Sequence, residues 1–355
     1  MKKIIVLCLV FLCCSFSVVS NAMETAFYSL RGNDLAAIAD TKAATASLEK
    51  NAKKINILIP QAYQVNEAGL VWGYVDPTVI NFTKANGIKL MPMITNAQFD
   101  KTIAHEFLND SVAQNRAIQS ILIACKTNHY YGVQFDFEMI ALADRDALSR
   151  FYKLAANALH QAGFKVSIAV GPLQSDGPWP STFLMKTYKV WEGAYDFKTL
   201  APSSDFISIM VYNQHGEGTT PGPTASLAWT ENVIKYALQY IPSDKISLGI
   251  PAYSNYWYTD SNATGKITVQ LAGLSYSDLT YLLNKYNITL QWDDKHKMSY
   301  AVFERNWLNE YIFAEDVGSF KAKLDLVKKY NLRGISVFRI GFEDPRIWGE
   351  LGVRS

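Results

Sequence analysis

The sequence predicts an α/β chain folded as a (β/α)8 TIM barrel, with a small α+β insertion between the seventh and eighth strands. Three observations carry this. Eight runs rich in Val, Ile, Phe and Tyr recur along the chain, at 25–29, 55–61, 88–95, 132–139, 165–171, 206–212, 246–252 and 334–340. Most are continuous rather than alternating, as strands covered on both faces should be. Helix-like stretches lie between them, clearest at 110–128, 143–162, 225–240 and 319–330. Several strands open after a turn signal, such as Asn86-Gly87, Gly163 or Pro242-Ser243. An open doubly wound sheet is the rival arrangement, but no Gly-rich phosphate loop follows the first run. One connection is too long for a simple crossover. Short strand-like and helix-like pieces at 267–271, 277–286, 288–292 and 311–314 place the insertion at about 258–318.

Composition narrows the class. The chain has 355 residues, 49% hydrophobic and 19% charged, which is ordinary for a packed globular protein. Lys plus Arg number 34 against 32 Asp plus Glu, so nothing suggests the basic field of a nucleic-acid binder. Lys2 and Lys3 precede an apolar run, Ile4 to Cys14, that is too short to span a bilayer as a helix. Ser20-Asn21-Ala22 then fits a signal-peptidase site, so residues 1–22 are expected to be a signal peptide and 23–355 the exported barrel. No membrane span is expected after cleavage. The expected location is outside the cell or in the periplasm. Cys8, Cys13 and Cys14 leave with the signal, and Cys125 remains as a small core residue in an apolar segment. A monomer is expected, without metal or cofactor. His105, His129, His160, His215 and His296 show no close ligand spacing.

Tyr131-Gly132-Val133-Gln134-Phe135-Asp136-Phe137-Glu138 is the most informative segment. Side chains alternate along a strand, so Gln134, Asp136 and Glu138 share one face and Val133, Phe135 and Phe137 the other. The apolar face suits the surrounding helices. The polar face points into the barrel, with Glu138 at the C-terminal mouth, where barrel enzymes keep their sites. Two carboxylates on one buried face are costly unless used or paired. Their repulsion raises one pKa, which suits a general acid. The alternative is a structural ion pair, for which Lys89, Lys165 and Arg339 are the few basic residues on candidate strands. A second segment, Met210-Val211-Tyr212-Asn213, places a phenol and an amide at another strand end, where they could bind a polar substrate group. Trp72, Trp179, Trp191 and Trp257 near the loops are candidate sugar platforms, although packing alone also explains each of them.

These residues carry a resemblance. The segment ending in Asp136 and Glu138 resembles the Asp-x-x-Asp-x-Asp-x-Glu signature of glycoside hydrolase family 18, with Tyr131 and Gln134 at its first two positions. Met210-Val211-Tyr212-Asn213 resembles that family's Met-x-Tyr-Asp motif. Met93-Ile94-Thr95-Asn96, Pro221-Gly222-Pro223, Gly249-Ile250-Pro251-Ala252-Tyr253 and Phe313-Ala314-Glu315-Asp316 resemble its spore-cortex-lytic, or germination-glucosaminidase, branch. Phe338 stands where a strand-eight Trp is typical. The resemblance implies a chitinase-like glycosidase cleaving polymers of N-acetylated sugar, peptidoglycan or chitin, with retention and without a metal. It implies Glu138, Asp136 and Tyr212 as catalytic residues. Gln134, Met210, Asn213, Asn96, Tyr28, Tyr253 and Phe338 would be substrate-binding. The other reading is a lectin-like protein that binds such polymers on the same barrel without cleaving them.

Overall fold

A computed structural model describes residues 23–30, 35–177, 182–216, 218–261 and 267–354. The expected signal peptide and Trp179 lie outside these residues. Among the described residues no helix is long and apolar enough to cross a membrane. Eight parallel strands close into a barrel: β1 (Glu24–Ser29), β2 (Ile57–Val65), β3 (Met93–Asn96), β4 (Gly132–Asp136), β5 (Lys165–Val170), β6 (Phe206–Ile209), β7 (Ile246–Pro251) and β8 (Gly334–Phe338). Each pairs with the next, and β8 returns to β1 through Ile335 opposite Thr25. The expected (β/α)8 barrel is therefore the fold found.

Alternation sets the two sides of the barrel wall. Phe27, Leu58, Ile94, Phe135, Ile168, Ile207, Leu248 and Ile335 all face the helices in one large buried cluster. Tyr28, Ile57, Ile59, Met93 and Phe206 face inward in a separate buried cluster. The third strand is shorter than the run 88–95 suggested. Lys89–Leu90 pairs with β2, and pairing resumes only at Met93. Pro92 between them has no N–H to give the ladder.

Helices cover the outside. Ser111–Asn128 starts where the Asp110 carboxylate accepts from Val112 N–H at 2.8 Å, and it ends at His129 in the left-handed region. Cys125 is buried on this helix as a free thiol, and burial pushes its pKa up to about 12. Arg145–Gln161 buries Phe151 and Tyr152 under β4. Phe151 stacks on Phe137 at 5.6 Å and meets Phe107 edge-on at 4.9 Å. This aromatic cluster fixes the strand that carries both carboxylates.

A second sheet lies between β7 and β8. Its five antiparallel strands run in the order 267–274, 254–261, 308–314, 298–305, 291–293. Helix Tyr276–Lys285 packs on it through Leu279, against Tyr256 and Ile312. The strands at 254–261 and 298–305 were not expected. Met298–Arg305 alternates buried with partly exposed positions and carries polar residues on its outer face, so it lacks the continuous apolar run of a barrel strand.

Glu315 and Asp316 join this sheet back to the barrel. Asp316 caps helix Val317–Lys329 in a reciprocal capping box with Ser319. Glu315 pairs with Lys323 at 2.7 Å, with both side chains 2% exposed. Breaking such a pair strands a buried charge. We expect Lys323→Met to lose about 3–5 kcal/mol of stability in chemical unfolding, and a further Glu315→Leu change to recover most of it.

Candidate active site

The chain reaches the mouth of the barrel at the end of β4. Val133, Phe135 and Phe137 point out to the helices, and Gln134 and Asp136 point in. Met139, just beyond the strand, turns the chain with a φ of 57°. Between them stands Glu138, and its backbone is gripped by one side chain. The Asn96 carbonyl oxygen accepts from Glu138 N–H at 3.0 Å, and its amide donates to the Glu138 carbonyl at 3.1 Å. The Glu138 carboxylate accepts from Trp191 Nε1–H at 3.1 Å.

A polar layer lies below. Gln134 is fully buried and donates to Ser167 Oγ at 2.9 Å and Ser208 Oγ at 3.0 Å. Ser208 bonds Ser336 at 2.8 Å, and Ser336 bonds Ser247. Ser167, Ser208, Ser247 and Ser336, one from each of β5 to β8, thus join Gln134 in one hydrogen-bonded layer across the barrel interior. Above this layer Asp136 is 5% exposed. Its Oδ1 is buried without a hydrogen-bond partner, as is the Tyr28 hydroxyl.

Aromatic side chains wall the opposite side. Tyr212 stacks on Phe338 at 5.6 Å and meets Tyr253 edge-on at 6.4 Å. Tyr253 donates its hydroxyl to Asn213 Oδ1, which holds the amide at the strand end. These groups enclose a cavity of about 140 Å³ lined by Tyr28, Met93, Asp136, Glu138, Ala169, Trp191, Met210, Tyr212, Asn213, Tyr253 and Phe338.

The electrostatics follow from burial. Asp136 is held well above the usual carboxylate range, first by desolvation and then by the charge of Glu138. Desolvation also raises Glu138, and the Trp191 bond pulls it part of the way back. Desolvation keeps Tyr212 protonated far into the alkaline range. Of the basic residues weighed as ion-pair partners, Lys89 pairs with Glu24 at 3.7 Å and Lys165 with Asp205 at 2.8 Å. Arg339 lies over the Phe342 ring, 3.8 Å from its centroid. Asp136 and Glu138 therefore share a pocket of phenols, amides and thioethers.

The expected site residues separate into two groups. Glu138, Asp136, Tyr212, Met210, Asn213, Tyr28, Tyr253 and Phe338 all line the one cavity. Asn96 and Gln134 do not. Asn96 is 1% exposed, with both ends of its amide engaged by the Glu138 backbone. Gln134 lies beneath, bonded to the serines. Each supports the site from behind: alternation puts Asn96 on the outward face with Ile94 rather than the inward face with Met93, and Gln134 lies two positions below Asp136 on the inward face. Trp257 is 3% exposed and donates to the Gly222 carbonyl, so it is a packing residue. Trp72 stands 47% exposed on the hairpin after β2. His215 is held by the Thr220 carbonyl and Gly222 rather than the cavity. Met93 and Ala169 join the lining without a sequence signal of their own. Trp191 was legible only as an aromatic near a loop.

The sequence model of glycosyl hydrolases family 18 matches residues 78–343. The chain belongs to this family. Both carboxylates and the strand-six motif fall inside the matched residues, and the chain is a glycosidase. An uncharacterized glycosylase, YvbX, of Bacillus subtilis is 24% identical over 308 residues, 85% of each chain. The cortical fragment-lytic enzyme of Bacillus subtilis is 26% identical over 273 residues, covering 76% of this chain and 60% of that enzyme. The chain thus spans well under two thirds of that relative's length. The crystal structure of the Bacillus megaterium spore cortex-lytic enzyme SleL superposes with a TM-score of 0.79 at 22% identity, over 94% of this chain and 76% of that one. This last likeness establishes the shared fold.

Family 18 departures fit their surroundings. Gln134 meets the serine layer with two N–H groups that a carboxylate lacks, and Tyr131 stacks its ring under the Lys89 ammonium at 4.9 Å.

The raised carboxyl at Asp136 has a consequence for stability. Below its unfolded pKa both states are protonated and the group contributes nothing. As pH rises the unfolded chain releases its proton first, so Asp136 destabilises the fold progressively until its folded pKa is passed. We expect Asp136→Asn to melt about 2–4 °C higher than the parent at pH 7, with the difference vanishing near pH 4 by calorimetry.

Proposed function

We propose that this family 18 chain is an exported, retaining glycosidase that cleaves β-linked N-acetylglucosamine polymers by substrate-assisted catalysis. The observation that carries the reading is the pair of carboxyls, buried Asp136 and partly buried Glu138, in one aromatic-walled cavity where desolvation raises both. Glu138 protonates the glycosidic oxygen as its bond to C1 breaks. The substrate's own acetamido oxygen attacks C1 from the opposite face, giving an oxazolinium ion. Asp136 accepts from the acetamido N–H and faces the positive charge that develops. The Tyr212 hydroxyl, kept protonated by burial, donates to the acetamido oxygen, and Asn213 and Tyr253 fix the sugar beside it. Glu138, now a carboxylate, takes a proton from water as it attacks C1. Two inversions leave the product with retained configuration. Phe338, stacked on Tyr212, gives the sugar an apolar floor.

A cortex-type polymer as substrate is supported by the likeness to a relative named a cortical fragment-lytic enzyme. Export is supported by the charged and apolar pattern of residues 1–22.

Purified protein incubated separately with chitin oligomers and with peptidoglycan, followed by mass analysis of the products, tests the reading and names the polymer. We expect fragments ending in N-acetylglucosamine from one of them. Glu138→Gln should lower the rate by at least about 10²-fold, the scale of a general acid. Parental turnover in that variant would overturn the assignment. Binding of both polymers with cleavage of neither would replace it with a lectin-like role.

A further inference from the structure

The loop after β5 returns to the mouth as helix Thr182–Thr187, which widens into a π-helical turn at Tyr188–Glu192. Such turns are rare and concentrate at functional sites. This one is closed by Gly193 N–H donating to the Tyr188 carbonyl at 2.7 Å. A Cβ on Gly193 would lie 2.7 Å from that same oxygen, so glycine is required. Two hydrogen bonds tie the segment to the end of β4. The buried Tyr195 hydroxyl donates to the Phe137 carbonyl at 2.8 Å. One residue further along β4, Trp191 Nε1–H donates to Glu138 Oε2 at 3.1 Å. Asp196 then anchors the segment to the Arg145–Gln161 helix through Arg145 at 3.4 Å.

An indole N–H gives a proton and accepts none. The oxygen it holds on Glu138 is occupied as an acceptor, which leaves the carboxyl proton to the other oxygen. We propose that Trp191 is a positioning residue for the acid: its N–H holds Oε2, so the transferable proton sits on Oε1 and meets the leaving oxygen in one orientation. The proposal rests on Glu138 being the general acid. Asn96 fixes the backbone of Glu138 but leaves its carboxyl free to rotate, and Asn213 is engaged by Tyr253. Trp191 supplies the side-chain bond that removes this freedom. Its ring also packs on the Ala169, Met210 and Tyr212 cluster, which fixes the indole plane.

Several other titratable groups face Glu138. They are Asp136 on its own strand, Tyr212 beyond β6, Tyr253 beyond β7 and Tyr195 on the π-helical segment. Glu192 beside Trp191 packs near Gly171 at the end of β5, and burial raises it to about 7. Its titration must therefore be controlled for.

Trp191→Phe keeps a ring and deletes the N–H. We expect kcat to fall about tenfold, the scale of one hydrogen bond to a charged group, with KM within about twofold of the parent. The bond favours the ionised form of Glu138, so its loss should move the alkaline limb of the pH–kcat profile upward. Trp191→His, which restores a ring N–H, should recover part of kcat. Glu192→Gln should leave the limb of the parent and the shift of Trp191→Phe both in place. In the intact parent, the Trp191 indole N–H resonance should move as Glu138 titrates and stay flat in Glu138→Gln. Parental kcat and an unmoved limb in Trp191→Phe, with Glu138→Gln inactive, would overturn the positioning role and leave the glycosidase reading intact. An indole resonance indifferent to pH would overturn it even if Trp191→Phe failed to fold. Activity surviving in Glu138→Gln would instead remove the reading beneath it.

Discussion

Two carboxyls, buried Asp136 and partly buried Glu138, share one barrel mouth with no basic side chain hydrogen-bonded to either among the described residues. Like charges in one desolvated pocket oppose each other's ionisation, and the charge of Glu138 adds to desolvation in raising Asp136. Much of the surrounding architecture answers that constraint. Asn96 secures the backbone of the outer carboxyl. Tyr212 and Phe338 exclude water on the far side. The phenylalanines 107, 135, 137 and 151 lock the carrying strand against its helices, so relief by backbone movement is closed off. In the proposed mechanism the burial that costs stability is also what raises the acid's pKa.

Much of this arrangement was legible in the sequence, because strand alternation and barrel geometry are rules of backbone covalent structure. Continuous apolar runs located all eight barrel strands, and alternation sent Phe135 and Phe137 outward and Asp136 inward. Legibility failed where a tertiary partner decides the outcome. Asn96 was expected to touch substrate, yet a barrel neighbour claims its amide through a bond that links positions 42 apart in the chain. Trp191 reaches Glu138 from 53 positions away, across a π-helical turn that leaves no periodicity to detect. The second sheet was only half visible, because its strands are amphipathic and short of the apolar continuity that marks buried parallel strands.

Two buried-carboxylate sites in the same chain show opposite designs. Glu315 lies at the junction between the second sheet and the barrel, where Lys323 donates to it at 2.7 Å and Ser319 adds a bond at 2.7 Å. That charge is neutralised in place and its role is architectural. Asp136 is as deeply buried, yet it shares its cavity with phenols, an amide and another carboxyl. A lysine within reach would have stabilised the fold and fixed Asp136 as a permanent anion. It would also have drawn Glu138 toward ionisation and removed the acid. Withholding the counter-cation at one site while supplying it at the other separates chemistry from architecture.

The same reasoning gives Gln134 its meaning. A carboxylate there would place a third acid on the inward face of β4, below Asp136, and would offer only acceptors to Ser167 and Ser208. The amide donates to both hydroxyls and leaves each its own proton for a further bond, and Ser208 is also bonded to Ser336. The barrel interior then holds two ionisable carboxyls rather than three. In the proposed mechanism the site's titration centres on the Asp136–Glu138 pair, and the hydrogen bond from Trp191 falls on the proposed proton donor. An uncharged floor and a single oriented acid above it are thus two parts of one electrostatic solution.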